Sequence, residues 1–166
     1  MSQTNKITAD LIHLTFGFNM DVPPKSPVLA SGKLILVNNS SKMAFSATSG
    51  LPGYQSLDSA GIRGKGRIPT CEQANLHCYR VATTPIAMPK IRGVEGSFYP
   101  ITPYRVLVGN NKRGDFGIHY DANVPGSAGC IVIRQRDHWK LFQEIMDQLW
   151  ERDIIAVDLY VKNFFR

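Results

Sequence analysis

Apolar and polar residues alternate with a period of two in several short stretches of this chain, and a period near 3.6 appears only late. Over residues 6–16, Ile12, Leu14 and Phe16 fall on one side and His13 and Thr15 on the other. That pattern predicts a strand with His13 toward solvent. Residues 19–31 carry prolines at 23, 24 and 27 and predict a connecting or edge segment. Lys33–Val37, the turn formers of 38–41 and the run Lys42–Thr48 predict a hairpin whose buried face holds Met43, Phe45 and Ala47.

Residues 51–70 and 82–97 are glycine- and proline-bearing and predict two long loops that wall a groove. Short strands are expected at Tyr79–Val81, Phe98–Ile101 and Tyr104–Val108, with a break at Pro103 and a turn over 110–114. A further strand begins at Cys130 and runs through Ile131, Val132 and Ile133. Trp139, Phe142, Ile145, Met146, Leu149 and Trp150 recur at helical spacing and predict a helix over 137–150. Asp137 is its expected N-cap, both tryptophans are expected in the core, and His138 is expected to cap or face solvent. Ile155, Val157, Leu159 and Val161 alternate again and predict a closing strand. The sum is a mostly β fold: a β-sandwich or partly open β-barrel with one C-terminal helix packed on the sheet.

The 166 residues predict one domain spanning 1–166, in which 1–31 supply an N-terminal strand and a proline-rich segment. No apolar run is long enough for a membrane helix, and the first residues lack the pattern of a secretory signal. The formal charge is +6, but the nineteen basic residues are scattered rather than blocked. A basic solvated surface is therefore expected, without a nucleic-acid partner. The run Gly64–Pro69 lacks the spacing of a phosphate cradle. No cofactor and no resident metal are expected; the three candidate ligands His119, Asp121 and Cys130 form no recognised zinc motif. Cys71 and Cys78 enclose six residues, and the sequence leaves open whether they pair or stay reduced.

The chemistry points to residues 117–133, where His119 and Cys130 flank a loop of turn formers between two strands. Neighbouring strands joined in this way can bring an imidazole to a thiol, which is what an activated cysteine nucleophile needs. Gly129 allows close approach of a substrate carbonyl, and the backbone N–H groups around it are candidates for an oxyanion site. A backbone carbonyl is the expected orienter of His119, with Asp121 bonding to the loop backbone instead.

The segment Ser127-Ala128-Gly129-Cys130-Ile131 resembles the Ser-x-Gly-Cys core of the L,D-transpeptidase catalytic-domain family, whose histidine lies upstream on the preceding strand. The hairpin ending at Ser49-Gly50 and the Gly66–Pro69 run are similar to segments of that family too. The resemblance implies Cys130 as nucleophile, His119 as base, and Ser127 and Gly129 as residues that shape the loop and oxyanion site. It further implies acyl transfer on peptidoglycan stem peptides through a thioester, with an amine acceptor giving a transpeptidase and water a carboxypeptidase or endopeptidase. This chain has Ala128 where a second histidine is common and Val132 where an arginine is common, leaving Arg134 or Arg113 as cations for a substrate carboxylate. A catalytically silent wall-binding or virion structural domain is the alternative. For a wall-directed protein, either an export segment has been removed from this sequence, or delivery is by a virion, by lysis or by a secretion machine; the localisation stays open.

Overall fold

The computed structural model describes residues 12–39, 41–88, 96–121 and 125–164. The part of the first predicted strand before Ile12 lies outside them, as do 89–95 of the second loop and 122–124 of the loop between His119 and Cys130.

The strands are β1 (Ile12–Phe18), β2 (Gly32–Asn38), β3 (Ser41–Ser49), β4 (Tyr79–Ala82), β5 (Ile86–Met88), β6 (Gly96–Thr102), β7 (Arg105–Val108), β8 (Asn111–Gly114), β9 (Gly117–Tyr120), β10 (Ile131–Ile133) and β11 (Ala156–Val161). Helix α1 spans Arg136–Glu151, and a short 3-10 helix spans Leu57–Gly61. Eight strands pair in the order β4-β11-β1-β2-β3-β10-β9-β6, and β6 returns to β4, so the sheet closes into a barrel. The expected sandwich or partly open barrel is thus corrected to a closed one, which leaves no free edge on those eight strands. β5 pairs only with β6, while β7 and β8 form a separate hairpin.

Alternation fills the barrel's interior. Leu14 faces Leu36 and Leu159, Phe16 faces Leu34 and Val161, and Ile118 faces Tyr99 and Ile131, so both apolar residues of each of these pairs point inward. Helix α1 covers this interior through Trp139, Phe142, Met146 and Leu149. The Phe142 ring meets Phe45 of β3 and Tyr99 of β6 edge-on, at centroid distances of 5.7 and 5.2 Å.

Several sequence expectations need correction. Gln135, not Asp137, is the N-cap, and its side chain makes no capping bond. Trp150, in the last turn of the helix, is 51% exposed although it lies close to Trp139 around the helix axis. Ile155 precedes β11 and is exposed, and Met43 sits near the hairpin tip, beyond the packed part of β3. His138 neither caps nor projects freely: its Nδ1 accepts the Ser46 N–H at 3.0 Å and ties the helix to β3. The predicted turn over 110–114 is largely strand β8, which is polar in sequence and is held by pairing with β7.

Candidate active site

β9 and β10 are parallel neighbours, with Ile118 beside Ile131 and Val132 beside His119. Continuing that register one residue back places Cys130 beside Gly117. Side chains on a strand alternate between faces, so Ile118, Ile131 and Ile133 share the inner face while Gly117, His119, Cys130 and Val132 share the outer one. The candidate nucleophile and base therefore occupy one face of adjacent strands.

The loop before Cys130 is knotted by Ser127. Its hydroxyl accepts the N–H groups of Gly50 and Gly129, each at 3.3 Å, and donates to the Cys130 carbonyl. The Ser49 hydroxyl donates to the Gly129 carbonyl at 3.1 Å and accepts the Ile68 N–H. Gly129 adopts φ +129°, and a Cβ there would lie 2.7 Å from Arg113 Nη2 and 2.8 Å from the Phe116 ring. Only glycine fits this backbone without strain. The Gly129 N–H is spent on Ser127, however, and among the described hydrogen bonds none occupies the N–H of Cys130.

His119 is 3% exposed. Its Nδ1 lies 2.9 Å from the Tyr120 carbonyl oxygen. A carbonyl only accepts, so Nδ1 carries the hydrogen and Nε2 is left as the basic nitrogen. The orienter is thus a backbone carbonyl, while Asp121 forms an ion pair with Arg134 at 3.6 Å. The Phe98 ring stacks on the imidazole and lies over Gly117, where a Cβ would meet it at 2.2 Å. Burial lowers the His119 pKa, opposed in part by the bond to Tyr120.

The Cys130 residue is half-buried, and its sulfur contacts the Asp115 carbonyl oxygen at 3.8 Å. Burial pushes the thiol up to about 11, against a counter-effect from the Gly117 backbone. At neutral pH the resting pair is therefore a thiol and a neutral imidazole, and no described hydrogen bond joins them. Cys130 opens onto a cleft of about 400 Å³ whose lining includes Arg63, Arg105, Lys112, Arg113 and Asp115.

Arg113 does not serve as the free cation that the sequence suggests for a substrate carboxylate. It is buried on β8, with Nη1 donating to the carbonyls of Ala60 and Arg67 and Nη2 to those of Gly66 and Ala128. Its guanidinium also lies over the Phe116 ring. Arg113 thus clamps the β7–β8 hairpin, the loop after the 3-10 helix and the loop before Cys130. With Arg134 paired to Asp121, neither cation is free for a substrate carboxylate. A charged residue within a short polar strand gives no sequence signal for such a clamp, nor does a lone Phe98 for its place over His119.

Cys71 and Cys78 are free thiols; Cys71 Sγ accepts the Val161 N–H at 3.3 Å and is fixed in the core. Among the described residues no three His, Cys, Asp or Glu side chains converge as a metal site, and no helix is long and apolar enough to cross a membrane. Set against known proteins, the chain matches no family model, no curated protein and no solved structure.

Proposed function

We propose that the chain catalyses cysteine-dependent acyl transfer on peptidoglycan stem peptides, as an L,D-transpeptidase-like enzyme. The observation that carries the reading is the register of β9 and β10, with Cys130 and His119 on one outer face and Cys130 at the cleft. His119 Nε2 takes the thiol proton, and the sulfur adds to a peptide carbonyl. The Cys130 N–H stabilises the oxyanion, since the Gly129 N–H is engaged. Collapse expels the amine, which takes the proton back from His119, and leaves a thioester on Cys130. An amine or water then releases the acyl group. The step requires the sulfur to swing from the Asp115 carbonyl toward the imidazole.

The test is mass spectrometry of purified stem peptides and muropeptides after incubation with the protein. New cross-linked or trimmed peptides should form with the wild type and not with Cys130→Ala. A second reading, a silent wall-binding or virion domain, is favoured by one observation: the Cys130 sulfur rests on the Asp115 carbonyl, and no described hydrogen bond joins it to His119. Wall-peptide binding without any product would establish it.

A further inference from the structure

The cleft beside Cys130 is one-sided in charge. Arg63, Arg105 and Lys112 line it and are all exposed, and Asp115 is the one carboxylate in the lining. Among the described residues the ion pairs are Arg80–Asp158 and Arg134–Asp121, so none of the three lining cations is paired with a described carboxylate. They arise from separate places: Arg63 from the loop after the 3-10 helix, Arg105 from β7 and Lys112 from β8. In the hairpin register Arg105 is opposite Gly114 and Lys112 opposite Leu107, which puts both cations on one face. The other face buries Val106 and Arg113 against the body of the protein. The fold thus holds like charges around a concavity, where they repel one another and concentrate anions.

We propose that this cleft binds the carboxylate groups of an anionic peptide, with Arg63, Arg105 and Lys112 as specificity-determining residues. Two guanidinium groups offer planar forks that match carboxylates, and Lys112 adds a point charge. Gly64, where a Cβ would meet nothing within 4 Å, leaves backbone open beside the charged side chains. The inference deepens the acyl-transfer reading and rests on it for the bond that reacts. The peptide so held carries more than one carboxylate near the scissile bond.

Titration calorimetry of the whole chain at low salt tests this without requiring turnover. The probes are tricarballylate, its uncharged triamide and inorganic pyrophosphate. Tricarballylate should bind, the triamide should not, and added salt should weaken binding. The R63Q/R105Q/K112Q variant should lose about tenfold or more in affinity, whereas R63K/R105K, which keeps the charges but not the forks, should lose less than the glutamine variant. Circular dichroism confirms that the exposed substitutions leave the fold intact. Absence of tricarballylate binding, equal binding by the triamide, or unchanged affinity in the glutamine variant would overturn the proposal. Pyrophosphate binding tighter than tricarballylate would overturn the carboxylate assignment. Tricarballylate binding in a protein that leaves stem peptides unchanged would remove acyl transfer and leave the anion site standing.

Discussion

On the inner face of β9 and β10, Ile118, Ile131 and Ile133 sit among Tyr99, Phe45 and the helix residue Phe142. On the outer face of the same two strands, the residues between them are Gly117, His119, Cys130 and Val132. The inner set is apolar and closed by a barrel and a helix. The outer set is covered by single pieces: the Phe98 ring over His119, and a loop knotted by Ser127 before Cys130. One seven-residue alternation thereby divides labour, with stability on one face and candidate chemistry on the other. Because the faces share a backbone, the position of Cys130 depends on the packing beneath it.

That division can be broken from the inside first. Phe142→Ala should cost about 3–5 kcal/mol, since the ring is fully buried between β3 and β6. A melting temperature unchanged by the substitution would mean that α1 does not close the barrel. The outer face should respond to pH instead. With the Cys130 thiol at about 11, alkylation by iodoacetamide should rise about a hundredfold from pH 7 to pH 9, tracking the thiolate. Site-resolved mass spectrometry reads this rate. A plateau near neutral pH would show a resting thiolate paired with His119 and would contradict the described geometry.

Gly129→Ala should cost about 1–3 kcal/mol, because φ is +129° and the new methyl meets Arg113 and Phe116. Denaturant unfolding checks it, and a neutral result would mean that the clamp yields without strain. The smallest effect concerns acid. Burial lowers the His119 pKa below its ordinary 6.5, so the folded chain binds that proton less readily than the unfolded chain. The stability this group supplies is full above 6.5 and is lost as pH falls through the folded value. His119→Gln should therefore flatten stability against pH in that window; an identical slope in both proteins would mean that His119 titrates freely.

The parts legible in the sequence were those where one strand or helix speaks for itself. Ile12, Leu14 and Phe16, the hairpin through Phe45 and Ala47, and the helical face of Trp139 and Phe142 each show their period within a few residues. Cys130 and His119 were legible as residue types flanking a turn-rich loop, and their common outer face follows from counting along the paired strands. The closure of β6 onto β4 was not, because pairing partners distant in sequence leave no local trace. β8 looks like a turn in the sequence because Asn111, Lys112 and Arg113 are polar, yet Arg113 is buried against four carbonyls, from the 3-10 helix, the loop after it and the loop before Cys130. Trp150 and Ile155 look like core residues by type and are exposed by geometry. Residue type sets what a position is able to do, and tertiary contacts decide whether it does so.

In the proposed reaction Cys130, served by His119 on the same outer face, carries the acyl group. Intact-mass spectrometry of the protein quenched in acid during incubation with stem peptides tests it most directly. The account predicts a mass increase equal to the acyl fragment, mapped to Cys130 and removed by hydroxylamine. It should be absent in Cys130→Ala and strongly reduced in His119→Ala. An unmodified Cys130 while products accumulate, or an adduct undiminished in the His119 variant, would contradict it.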